Sequence, residues 1–166
     1  MKLLSEIIVK SEIEMKKFGS LISNILKPND LITFEGDLGV GKTFLCKCII
    51  NAITHIKEVP SPTFNLVQTY PLNKELEIWH CDFYRINNFE EVEEIGIFED
   101  LKKKIILLEW PRFNLELNYF DPLNINISVI QDNNEQFSDF RKISIIGSTN
   151  WFNRLNDQST NIKMSK

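Results

Sequence analysis

The stretch from Phe34 to Ile50, FEGDLGVGKTFLCKCII, sets three glycines and a lysine between two apolar runs. Gly36, Gly41, Lys42 and Thr43 fit G-x-x-x-x-G-K-[ST], the spacing of a phosphate-binding loop. Glycine at 36, 39 and 41 lets successive backbone N–H groups converge on an anion. A helix beginning near Lys42 adds the positive end of its dipole to the same point. In that arrangement Lys42 reaches the β- and γ-phosphates of a nucleotide, and the Thr43 hydroxyl ligates Mg2+. The expected nucleotide-binding stretch is Gly36, Asp37, Leu38, Gly39, Val40, Gly41, Lys42, Thr43 and Phe44. A chance glycine turn ahead of a core helix is the competing reading, and the flanks argue against it. Leu31 to Phe34 is a short apolar run with two β-branched residues, and Phe44 to Ile53 is apolar on nearly every side, as a helix under a sheet should be.

A phosphate loop alone binds nucleotide. Holding Mg2+ and activating water also takes a carboxylate at the end of a neighbouring buried strand. Glu109 directly follows Ile105-Ile106-Leu107-Leu108, a Walker-B pattern with glutamate as the terminal acid. Asp82 ends the less apolar run EIWHCD. The bland reading of each is a strand-end carboxylate that meets solvent. The apolar run favours function for Glu109, and for Asp82 the residues leave the two readings level. His80 alternates with Asp82 on one strand face, and a lone histidine reads first as a packed core residue. Tyr84 and Arg85 follow the strand end, where loops commonly face a ligand. Arg85 either contacts phosphate or pairs with the acidic segment that follows, and Trp110 reads as packing.

These residues need elements to hold them. Ser11 and Glu14 form a capping-box pair ahead of Met15, Phe18, Ile22 and Ile25, which recur at helical spacing. Lys27-Pro28-Asn29-Asp30 ends that helix. Pro60-Ser61-Pro62 breaks the chain after the buried helix. The runs Phe64–Tyr70 and Leu76–Phe83, joined by a tight turn, predict an antiparallel pair. Phe89 to Leu101 is acidic and reads as helix; Lys102, Lys103 and Lys104 read as its solvated end. Leu123–Ile130 and Arg141–Ile146 predict a second hairpin across a polar loop. The fold class is therefore α/β, a three-layer P-loop NTPase-like domain with a mixed, partly antiparallel sheet. Residues 1–156 form that single domain, and 157–166 read as a frayed polar tail.

The bulk numbers agree with this. A chain of 166 residues supports one domain with a real core, and 43% hydrophobic with 25% charged residues is a globular composition. No apolar run approaches a membrane span. The opening MKLLSEIIVK is broken by Glu6 and lacks a small-residue cleavage site, so no signal peptide is expected. Cys46, Cys48 and Cys81 cannot all pair and show no metal-type spacing; they read as buried hydrophobes in a reducing compartment, which points to the cytoplasm. A net charge of −4 disfavours extensive direct grip on a nucleic-acid backbone.

GDLGVGKT, SPTF, HCDFYR and LLEWP follow one another between Gly36 and Pro111, with the acidic stretch EEVEEIGIFEDL between the third and fourth. This series resembles the bacterial TsaE (formerly YjeE) family, the P-loop ATPase of tRNA threonylcarbamoyladenosine biosynthesis. The resemblance covers most of the chain. It implies ATP and Mg2+ as cofactors and TsaD-like and TsaB-like proteins as partners. That partner complex transfers a threonylcarbamoyl group to the adenosine beside the tRNA anticodon, so tRNA is met only through the complex. On this analogy Thr63 in SPTF belongs to a switch-like loop near the γ-phosphate. Asp82 lies near the metal and the attacking water, and Glu109 is a Mg2+ ligand or catalytic carboxylate. Arg112 departs from relatives that carry an acid or amide after EWP.

Three other functions were weighed against an ATPase. A small-molecule kinase would want a lid with several arginines, and this chain has few and none clustered. A regulatory GTPase would want N-K-x-D, but NKEL at Asn73 has leucine where the acid belongs. A nucleotide-binding scaffold that no longer hydrolyses is separated from these by phosphate release against ATP and GTP.

Overall fold

Four of the apolar runs become parallel strands. A computed structural model describes residues 1–130 and 140–164. In it β2 (Leu31–Glu35) lies between β5 (Lys104–Glu109) and β6 (Leu123–Val129), with β4 (Glu77–Asp82) beyond β5. β3 (Val67–Pro71) pairs antiparallel with β4 at one edge. β7 (Arg141–Gly147) and then β1 (Lys2–Val9) continue antiparallel beyond β6 at the other edge. Among the described residues the sheet has seven strands in the order β1-β7-β6-β2-β5-β4-β3. This is the mixed sheet that the sequence predicts.

Helices cover both faces, which is why β2 and β5 read as unbroken apolar runs rather than alternating ones. On one face α1 (Glu12–Ser23) and α2 (Lys42–Thr54) pack over Ile32, Phe34, Ile105 and Leu107. On the other, α3 (Phe89–Ile95) and α4 (Asn114–Leu117) pack over Leu31, Ile106 and Leu108. Ser11 caps α1 as expected, its hydroxyl accepting from Glu14 N at 3.2 Å; the Glu14 carboxylate in turn accepts from Lys10 N at 2.7 Å, one residue earlier than a capping box requires.

Four local expectations differ from what is found. The opening residues form β1, an edge strand that the signal-peptide question passed over, although KLLSEIIV is a plausible strand in its own right. The acidic helix stops at Ile95, because Gly96 adopts φ 69 and ends it. Lys104 is not part of a solvated helix end. It is buried as the first residue of β5, its Nζ donates to Gly96 O at 2.9 Å, and it lies 3.7 Å from the centroid of the Trp79 ring. Finally, α5 (Thr149–Met164) runs straight across Asn156, where a frayed tail is predicted. Its start is well anchored: buried Trp151 donates to Asp121 O at 2.7 Å, and Arg154 forms an ion pair with Asp30. The last two positions of that tail, and most of the predicted polar loop between β6 and β7, lie outside the described residues.

α1 and α2 approach each other closely at Gly19, where an added Cβ would stand 2.6 Å from Cys48 Cβ. Gly19→Ala gains about 1 kcal/mol of helix propensity and incurs an overpacking cost of about 1–3 kcal/mol. Because a Cβ cannot swing aside, the clash wins. The expected net loss is up to about 2 kcal/mol, read as a lower urea midpoint at unchanged slope. An unchanged midpoint would show that the helices slide apart freely.

Candidate functional site

The loop between β2 and α2 is built on three backbone angles that side chains resist: Gly36 at φ 131, Gly39 at φ 80 and Gly41 at φ 111. Their reasons differ. A Cβ on Gly36 would meet Ile127 O at 2.1 Å, so this glycine lets the loop pass against β6. At Gly39 and Gly41 no atom lies within 4 Å of the added Cβ, so conformation and open space are the reason. Gly41 is the N-cap of α2, and the N-terminus of that helix points into the loop's mouth.

Lys42 folds back over the loop. Its Nζ donates to Gly36 O and Asp37 O, both at 2.8 Å, and lies 3.7 Å from the Trp110 ring centroid. Burial pushes the Lys42 ammonium below its ordinary pKa, while the charges of Glu109, Asp82 and Asp37 oppose that shift. Thr43 Oγ1 donates to Glu109 Oε2 at 2.7 Å, and His80 Nε2 lies 2.8 Å from Glu109 Oε1. Asp82 is held separately: Thr63 Oγ1 donates to its Oδ2 at 2.9 Å, and Tyr84 N donates to its Oδ1 at 2.8 Å. Asp82 is 4% exposed and Glu109 1% exposed.

Parallel pairing brings these carboxylates together. Asp82 and Glu109 are register partners at the C-terminal ends of β4 and β5, the end of an open α/β sheet where ligands bind. A cleft of about 300 Å³ opens there. Of the predicted residues, Leu38, Gly39, Gly41, Lys42, Thr43, Phe44, Thr63, Asp82 and Glu109 line it. Gly36 and Asp37 contribute their carbonyls to Lys42 instead. Val40 turns inward, 3% exposed, and its carbonyl accepts from Arg141 Nε at 3.0 Å. A larger charged groove around Lys74, Glu77, Asp100 and Lys104 lies at the opposite end of β5, and there Lys103 pairs with Asp100 at 3.2 Å.

Several neighbours of the cleft were missed or underrated in the sequence. His80 is not a lone core residue, since it bonds Glu109; its signal was a polar residue two positions before Asp82 in a buried run. Trp110 and Tyr84 line the cleft, their ring centroids 5.0 Å apart. A second groove of about 260 Å³ abuts the outer side of the loop, lined by Val9, Ser11, Glu12, Met15, Val40, Phe44 and Arg141 among others. No local spacing announces it, because it draws on both ends of the chain. The donor set also differs from expectation at Cys46: its sulfur, a His80 nitrogen and a Glu109 oxygen lie within 4.8 Å of one another despite having no metal-type spacing in sequence. For Mg2+, a hard cation that prefers oxygen, the fitting pair is the Thr43 hydroxyl and Glu109 Oε2 at the cleft wall.

The profile of the family described as "Threonylcarbamoyl adenosine biosynthesis protein TsaE" matches residues 9–140. The chain belongs to the TsaE family. That family is a P-loop ATPase family of tRNA threonylcarbamoyladenosine biosynthesis. The TsaE protein of Rickettsia bellii is 39% identical over 129 residues, 77% of this chain and 89% of the relative. That of Aquifex aeolicus is 31% identical over 144 residues, 86% of this chain and all of the relative. The crystal structure of Bacillus subtilis YdiB has the same fold, with a TM-score of 0.72 over 97% of both chains at 24% identity. Among the described residues no helix is long and apolar enough to cross a membrane.

All three cysteines are free and buried, on α2 and β4. Burial raises the pKa of Cys48 to about 11 and those of Cys46 and Cys81 well above the usual thiol value. At pH 8 the thiolate of Cys48 is then about one part in a thousand. The native protein is expected to resist iodoacetamide at that pH, with all three cysteines reacting once denaturant is added. Intact mass reads this directly, and rapid native labelling would contradict the burial.

Proposed function

We propose that this chain binds and hydrolyses ATP with Mg2+. In this reading it is the ATPase subunit needed for threonylcarbamoylation of the tRNA adenosine beside the anticodon. It acts in the cytoplasm with TsaD-like and TsaB-like proteins and meets tRNA only through their complex. The observation that carries the reading is the convergence, in a TsaE-family chain, of Lys42, Thr43, Asp82 and Glu109 on one cleft.

The roles follow from position. The loop N–H groups and the α2 N-terminus cradle the phosphates, and Lys42 turns from two backbone carbonyls to their charge. Thr43 and Glu109 would hold Mg2+, which would supply charge neutralisation at the phosphates. Asp82, whose oxygens are fixed by Thr63 and Tyr84, orients the attacking water. The apolar groove of Val9, Met15 and Phe44 receives the purine base, with Ser11, Glu12 and Arg141 as polar contacts. A cleft of about 300 Å³ leaves little space beside the phosphates for an acceptor molecule, which weighs against a small-molecule kinase. Thr63 links the SPTF loop to Asp82 through a single hydroxyl. Ordering of that loop by a γ-phosphate therefore changes a surface that partners read.

Thr43→Ala is expected to weaken nucleotide binding mainly when Mg2+ is present, and titration calorimetry with and without Mg2+ checks this. Equal losses in both conditions would remove Thr43 from the metal site. Asp82→Asn and Glu109→Gln are expected to keep ATP affinity within about tenfold and to lose about a hundredfold or more in turnover. Hydrolysis by the isolated chain is slow and rises with the partners, and ATP in turn tightens their assembly, since coupling between sites is reciprocal. Thr63→Ala keeps ATP binding and loses the nucleotide dependence of partner affinity. Identical partner affinity with ATP, ADP and no nucleotide, together with an unchanged rate, rules the switch out.

A further inference from the structure

β4 and β5 present matched residues to the α2 face of the sheet: Ile78 beside Ile105, His80 beside Leu107, Asp82 beside Glu109. Three of the six are apolar and two are the strand-end carboxylates. His80 is the exception, a fully buried imidazole in a row where an apolar side chain like Ile78 would serve packing as well. Its pairing is one-sided. Nε2 lies 2.8 Å from Glu109 Oε1, while buried Nδ1 has no hydrogen-bond partner among the described residues. A carboxylate oxygen only accepts, so Nε2–H donates to Glu109 Oε1, and Nδ1 is left without a partner.

Glu109 needs such a tether. The terminal torsion of a glutamate is broad and holds no single orientation by itself. Here each oxygen has a different anchor: Oε1 faces His80 in the sheet, and Oε2 accepts from Thr43 on α2. The Cys46 sulfur is close to both His80 and Glu109. Burial, together with the Glu109 charge, keeps that thiol protonated, so it does not compete for the imidazole as an anion.

We propose that His80 is a positioning residue. Its Nε2–H holds Glu109 Oε1 against the sheet, so that Oε2 alone meets Mg2+ beside Thr43. The proposal rests on the reading of Thr43 and Glu109 as the metal pair. His80 touches neither nucleotide nor metal and acts through the carboxylate.

The test uses the full chain with ATP, titrated calorimetrically with and without Mg2+, and hydrolysis measured against Mg2+ concentration. His80→Leu keeps bulk and loses the donor. His80→Gln keeps an amide N–H near the place of Nε2, and His80→Asn carries the same polar group too short to reach. Expected for His80→Leu is Mg2+-free ATP affinity within about threefold of wild type. Its Mg2+-dependent gain in affinity falls at least about fivefold, and the Mg2+ concentration for half-maximal hydrolysis rises. His80→Gln restores most of that gain and His80→Asn does not, a contrast that stands even if the leucine variant folds poorly. A full Mg2+ gain in His80→Leu overturns the proposal, as does equal behaviour of the glutamine and asparagine variants. Thr43→Ala separates the levels. If it too keeps the full gain, the metal assignment has failed and the proposal falls with it. If Thr43→Ala loses the gain and His80→Leu does not, the role of His80 alone is refuted.

Discussion

One buried negative charge organises the neighbourhood of the loop. Glu109 sits at the end of a strand with both faces covered, and taking a carboxylate out of water costs several kcal/mol. Hydrogen bonds to a charged group contribute about 1.5–3 kcal/mol each, so the bonds from Thr43 and His80 offset much of that cost. The Lys42 charge and the N-terminal dipole of α2 act in the same direction. Lys42, Thr43 and the dipole come from the start of α2, and His80 comes from β4. The order β2-β5-β4 sets Glu109 between the loop that follows β2 and the strand that carries His80. Loss of any one would leave the charge short of partners.

A second carboxylate at the same level sharpens the constraint. Asp82 and Glu109 are neighbours on adjacent parallel strands, about 4.8 Å apart at the backbone. Like charges at about 4 Å repel by about 4 kcal/mol at an effective dielectric of 20. The structure keeps them tolerable by giving each its own donors, Thr63 and Tyr84 for Asp82, Thr43 and His80 for Glu109. Lys42 feels both. Separate clamps let two chemically similar groups stand in different environments, which is the condition for dividing metal holding from water orientation.

Much of this was legible in sequence where the cause is local. The glycine loop, the cap at Ser11, the two antiparallel pairs and the apolar run before Glu109 all follow from spacing and residue type. What depends on distant partners was not. Lys104 looks like a solvated lysine in a run of three. Its burial becomes apparent only once Gly96 O and the Trp79 ring supply a seat. His80 reads as core packing until β5 brings Glu109 within reach. The early stop of α3 was visible in Gly96, but the acidic run beyond it has the composition of helix. β1 carries a strand's residues, yet its place depends on β7, far along the chain.

That last pairing has a consequence for the order of assembly. β1 has β7 as its neighbour in the sheet, and closing so long a loop is slow compared with forming local contacts. The groove beside the phosphate loop takes Val9 and Ser11 from the start of the chain and Arg141 from near its end, and Arg141 also holds the loop itself at Val40 O. A nascent chain emerging from the ribosome can form β2, α2 and β5 long before Arg141 exists. The loop and its acids are then in hand while the wall of the groove is still missing. Synthesis has to pass β7 before the first strand can dock beside it and complete that wall.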